Sequence, residues 1–148
     1  MKNRNFNYYQ TFITVAPDST ALESITPPSR KDGKTKALIE YELLIHHPYT
    51  FTQEDLVYEV HIRHKEIPEE ILQIIGTEIR YELFQKSHAC LRASMLAKKY
   101  GWGIHFDDAG KIAIYPVESS EYQRFLANES GHVKVLAAMR SSRAKTDK

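Results

Sequence analysis

Apolar and polar positions first alternate along residues 9–15, where Tyr9, Thr11, Ile13 and Val15 interleave with Gln10, Phe12 and Thr14. The β-branched and aromatic content suits a pleated element and predicts a strand. Ala16, Pro17 and Asp18 end it. From there to Lys36 the chain carries Pro17, Pro27, Pro28 and Gly33 with little periodicity, which predicts a long surface loop. Residues 37–46 fit two templates, because Ile39, Tyr41, Leu43 and Ile45 alternate with Glu40 and Glu42 while Leu38, Tyr41 and Ile45 form a helical stripe. Their Ala, Leu and Glu content, with no Gly or Pro, predicts helix. His47 and Pro48 stop it, since a residue before proline is pushed out of the α region.

Thr52, followed by Gln53, Glu54 and Asp55, predicts an N-cap with carboxylates at the positive end of the next helix, whose buried face is Leu56, Val57 and Val60. Pro68 suits a first helical position, and the stripe Ile71, Ile75, Ile79 and Leu83 carries a third helix to about residue 84. Residues 102–106 and 111–117 flank Asp107-Asp108-Ala109-Gly110, turn chemistry that predicts a β-hairpin. Ser120 with Gln123 three residues on has capping-box form and opens a helix to about Asn128. A last amphipathic segment, 132–140, is read as a further helix, and the polar tail 141–148 is expected to fray. A strand, helices, a hairpin and more helices make the class α+β, with a small antiparallel sheet of the N-terminal strand and the hairpin packed against several helices.

The length, 148 residues, suits a single domain spanning 1–148. With 42% hydrophobic and 26% charged residues the composition is that of a globular chain. No apolar run reaches membrane-spanning length, and residues 1–9 are polar where a secretory signal is apolar, so the expected location is the cytoplasm, away from membranes. The single cysteine, Cys90, permits no internal disulfide.

Charge changes the picture in one place. No acidic residue occurs between Glu82 and Asp107, while Lys86, Arg92, Lys98 and Lys99 fall there with His88 and His105. Within that segment Ser94, the run 95–100 and Gly101 read as an N-cap, a short helix and a C′ glycine. The helix start, the Ser94 hydroxyl and the Arg92 guanidinium can converge on a phosphate, sulfate or carboxylate. Gly101 and Gly103 flank Trp102, which, if exposed, can stack on a base or ring. The candidate ligand-binding set is therefore Arg92, Ser94, Lys98, Lys99, Trp102 and His105. The plainer alternative makes Ser94 only a cap, Trp102 a core residue and Arg92 the partner of Asp107 or Glu118.

The stretch Cys90-Leu91-Arg92-Ala93-Ser94, then Leu96, Lys98, Tyr100-Gly101-Trp102-Gly103 and His105, with the opening Tyr8-Tyr9-Gln10-Thr11-Phe12-Ile13, resembles an uncharacterised bacterial family catalogued only as a domain of unknown function. The similarity runs from about residue 7 to residue 143, with Met95 where the family often has proline. The resemblance implies a small stand-alone cytoplasmic protein and brings no activity, cofactor or catalytic residue.

Other constellations rank lower. His61 and His64 lie three apart on the second predicted helix, with His46 and His47 nearby in sequence, but no paired-cysteine or His-Glu-x-x-His motif completes a metal site, so no metal and no cofactor is expected. Cys90 with His88 is a weak nucleophile-base pair. A near-neutral chain with net charge +1 and no nucleic-acid signature argues against nucleic acid despite Arg140, Arg143, Lys145 and Lys148. The leading expectation is a binding module for an anionic small molecule or nucleotide. The rivals are an enzyme on the same site, with His105 as acid or base beside Arg92 and Lys98, and a homodimer formed through aromatic surface without ligand.

Overall fold

The structure, a computed structural model, describes residues 7–140; the expectation for the tail 141–148 lies outside them. Strand β1, Thr11–Thr14, is followed by the irregular stretch 15–35 and by helix α1, Lys36–His46. Thr35 caps α1 by accepting from the Leu38 amide at 3.2 Å. Helix α2, Gln53–His64, opens on a full capping box in which Thr52 and Asp55 each accept the other's backbone N–H. Helix α3, Glu69–Leu83, begins after Pro68 and leaves helical geometry at Ile75 (φ −128°, ψ 21°). A 3-10 turn, Leu91–Ala93, and helix α4, Met95–Lys98, lead into strand β2, Trp102–Phe106.

The predicted hairpin is present. Strand β3, Ile112–Pro116, pairs antiparallel with β2, with Ile104 opposite Ile114. Gly110 takes the left-handed conformation (φ +81°), and the Asp107 carboxylate accepts the Ala109 and Lys111 amides at 2.9 and 2.8 Å. Helix α5, Ser120–Ala127, starts one residue earlier than its predicted box: Ser119, not Ser120, is the cap, accepting the Tyr122 amide at 3.1 Å.

The expectation for 132–140 is corrected. Lys134–Ala137 forms strand β4, which lies parallel to β1, so the sheet has four strands in the order β3-β2-β1-β4 and is mixed rather than wholly antiparallel. Val133 and Val135 disfavour helix, and a free edge of β1 takes the segment: Lys134 and Ala138 donate to the Gln10 and Thr14 carbonyls at 2.8 and 3.0 Å.

The pleat separates two layers of side chains. On one face Ile13, Trp102, Ile104, Phe106, Ile112 and Ile114 join Ile39, Leu43 and Leu44 of α1, Leu56 and Val60 of α2, and Leu96 and Ala97 of α4 in the main core. On the other, Phe12 stacks on Phe125 of α5 at 4.7 Å and meets Tyr122 edge-on at 5.1 Å. Gly103 has no side chain because a Cβ there would stand 2.4 Å from Phe12 and 2.7 Å from Tyr122. Its role is to let this aromatic layer lie against the sheet. Among the described residues no helix is long and apolar enough to cross a membrane.

Candidate functional site

The six residues expected to gather around a ligand are split between the two faces of the sheet. Trp102 is 6% exposed, packs at 5.4 Å on Tyr41 of α1 and donates its indole N–H to the Ile25 carbonyl at 2.9 Å. It is a core residue and not a stacking platform; its apolar bulk completes the sheet face, and the chain 15–35 supplies its polar partner. Ser94 does cap α4, accepting the Leu96 amide at 3.1 Å, but its hydroxyl donates to Glu40 of α1 at 2.7 Å. Burial pushes the Glu40 carboxyl up to about 7, against the opposing effects of the Ser94 hydrogen bond and Lys36.

Arg92 pairs with neither Asp107 nor Glu118. Its Nε donates to the Ala137 carbonyl at 2.7 Å, and its own carbonyl accepts the Met139 amide at 2.8 Å, so the 3-10 turn clamps the open edge of β4. Asn128 covers the same edge nearer its start, its side chain bonding both the carbonyl and the amide of Val133. Arg92→Ala is expected to lower unfolding free energy by about 2 kcal/mol through loss of a charge-assisted bond, with no change in phosphate response. Urea unfolding and phosphate titration check this; a variant of native stability that has lost its phosphate response would return Arg92 to the ligand.

His105 lies on the opposite face of the sheet from Trp102, as strand alternation requires of residues three apart. Its Nδ1 is 2.8 Å from the Tyr49 hydroxyl, which is 2.8 Å from the Tyr115 hydroxyl, and its ring stacks on Phe125 at 4.2 Å. Burial lowers its pKa, Asp107 opposing. Tyr49 reaches this chain from a backbone at φ +56°, an unfavourable region for a bulky residue. α4, which carries Lys98, packs through Leu96 and Ala97 into the core on the other face. The sheet therefore stands between His105 and Lys98, and exposed Lys99 lies over the Tyr100 ring at 5.8 Å. The enzyme constellation of His105 with Arg92 and Lys98 is not assembled.

The structure instead brings together residues of a loop and two helices that are far apart in the sequence. A cleft of about 1160 Å³ runs along α1, floored by Ile39 and Leu43 with Met95 and Tyr100 on one side. Arg30 and Lys34 line it from the turn before α1, Lys36 from the first position of α1, His46 and His47 from its end, and Arg63 and His64 from the last turn of α2. Asp32, Glu42 and Glu66 are its carboxylates. Lys34 is paired with Glu42 at 2.8 Å and Arg63 with Glu59 at 3.1 Å. Arg30 and Lys36 form no ion pair among the described residues.

Local sequence builds this cleft. Arg30 and Gly33 exchange backbone bonds at 2.8 and 3.2 Å across a tight turn, Gly33 taking φ +138°, and this turns Arg30 and Lys34 back toward α1. Gly33-Lys34-Thr35 before a helix has the ending of a phosphate-binding loop, but the first glycine of that motif is replaced by Pro28 and no strand leads into it. Thr35 accordingly serves the fold, donating to the Pro28 carbonyl at 3.1 Å while it caps α1. The signal available in the sequence was cation density: Arg30, Lys31, Lys34 and Lys36 fall within seven residues against Asp32 alone.

The histidines form no shared centre. His64 lines the cleft, His61 has its pKa lowered by burial with Lys65 and Lys36 adding to it, and His88 bonds the Leu83 carbonyl at 2.6 Å. Among the described residues no three His, Cys, Asp or Glu side chains gather where one ion could be held. The Cys90 thiol accepts the Tyr8 hydroxyl at 3.3 Å. No curated protein and no solved structure matches the chain. A family model does match, over residues 1–144, and the chain thus belongs to a family of unknown function, DUF6157.

Proposed function

We propose that this protein is a binding module for an anionic small molecule held in the cleft along α1. The observation that carries the reading is the convergence of Arg30, Lys36, Arg63 and three histidines on one cleft with an apolar floor of Ile39 and Leu43. α1 has no acidic residue in its first turn, so the positive end of its dipole adds to that field. Cations at the rim and aliphatic side chains beneath suit a ligand with a phosphate or carboxylate on a flat or apolar body, such as a nucleotide.

A thermal-shift series with phosphate, pyrophosphate and adenine nucleotides at matched ionic strength tests it. A ligand at 100 times its dissociation constant stabilises the fold by about 2.7 kcal/mol, on the order of 5–10 °C for a domain of this size. The double variant Arg30→Gln, Lys36→Gln is expected to fold normally and to lose most of that shift. Equal shifts in wild type and variant would remove the ligand from this cleft.

A further inference from the structure

Helix α3 contributes no buried residue to the fold. Its inner side is held by Arg80, which reaches Asp55 and Glu54 of α2 at 2.9 and 3.4 Å and lies over the Tyr58 ring at 5.1 Å. The outer side carries Ile71 (40% exposed), Ile74 (77%), Ile75 (40%) and Tyr81 (67%). Together they leave on the order of 400 Å² of apolar surface open, within the range of the largest apolar patch on an ordinary monomer, which is often functional. Ile74 lies just before the break in helical geometry at Ile75 and Tyr81 beyond it, so the two mark successive arms of the helix on its open side.

The frame of that patch identifies its occupant. Glu69, Glu70, Glu78 and Glu82 are all exposed around it, and the helix's one cation, Arg80, is turned inward. A second α3 laid on the first, parallel or antiparallel, brings glutamate against glutamate, which disfavours another copy of this chain. We infer that the outer face of α3 docks a helical segment of another protein that presents apolar side chains between lysines or arginines. Ile74 and Tyr81 supply contact area and the glutamates select the partner's charge, in the helix-on-helix mode of recognition.

Fluorescence anisotropy with the full chain tests this, using a labelled helical peptide that carries leucines along one face flanked by lysines, and a counterpart with glutamates in place of the lysines. The lysine peptide is expected to bind at least about tenfold more tightly than the glutamate peptide, and Ile74→Asp and Glu78→Lys are each expected to weaken it about tenfold. Both substituted positions are exposed, so the fold survives, and Tyr81→Ser offers a second uncharged check. Three results overturn the proposal: equal binding of the two peptides, binding unaffected by Ile74→Asp, or sedimentation of the wild type as a dimer that Ile74→Asp dissociates.

Discussion

Trp102→Ala is expected to lower the unfolding free energy by about 3–5 kcal/mol, the range for truncating a buried large aromatic. The indole fills the space between β2 and Tyr41 of α1, and its N–H satisfies the Ile25 carbonyl, so truncation opens a cavity and orphans a backbone acceptor of the long 15–35 stretch. Trp102→Phe retains most of the volume and loses the hydrogen bond, and is expected to cost roughly 1–2 kcal/mol. Urea unfolding of the three proteins measures both differences. A surface stacking residue would give a change within about 0.5 kcal/mol for either substitution, and that result would contradict the placement of Trp102 in the core.

The second large effect is on the pH dependence of stability and comes from Glu40. Its carboxyl titrates near 7 in the folded chain and at 4.5 in the reference state. Below 4.5 both states hold the proton, and the stability linked to it is fully present. As pH rises from 4.5 through 7 the unfolded chain releases the proton while the folded one retains it, so stability falls across that window, by up to about 3 kcal/mol. Glu40→Gln keeps an oxygen to accept the Ser94 hydroxyl and cannot ionise. It is therefore expected to match wild type near pH 4 and to exceed it at pH 8.

Other groups act in their own directions. Asp55, lowered by Arg80 and by Thr52 despite burial, adds stability that is lost only at more acidic pH, and the lowered His61 and His105 favour the folded state as pH rises toward 6.5. The difference between wild type and variant cancels those contributions and isolates Glu40. Chemical unfolding of both proteins from pH 4 to 8 gives the curve, and parallel profiles would show that the Glu40 carboxyl is not held at the α1–α4 contact.

Much of the fold is written in local signals. Thr52 with Asp55 specifies the start of α2, and Asp107 with Gly110 closes the hairpin, because each of these features is satisfied within a few residues of itself. β4 is different. Its ladder partner, β1, comes from the other end of the chain, and Lys134–Ala137 becomes a strand only when that edge is present. α3 shows the reverse case: its apolar stripe of Ile71, Ile75, Ile79 and Leu83 marks a helix correctly, yet a stripe does not say whether anything covers it, and here none of its residues is buried and Ile71 and Ile75 stand exposed.

The site divides in the same way. Arg92, Ser94 and Trp102 stand out in the sequence because an acid-free segment, a cap and a lone tryptophan are conspicuous, but all three are taken up by partners far along the chain, the Ala137 carbonyl, Glu40 and the Ile25 carbonyl. The predicted hairpin already implied that Trp102 and His105 face apart, since strand positions three apart alternate sides. The cleft was not legible as a site because its lining comes from a loop, both ends of α1 and the end of α2, which only tertiary packing juxtaposes.

Backbone amide chemical-shift mapping of the ¹⁵N-labelled chain during a pyrophosphate titration at constant ionic strength tests the anionic-cleft reading most directly. The expected result is saturable shifts confined to residues 30–37, to His46 and His47, and to Arg63 and His64, with Arg92, Ser94 and Trp102 unmoved. Shifts centred on Arg92 and Ser94, or no saturable shift along α1, would contradict it.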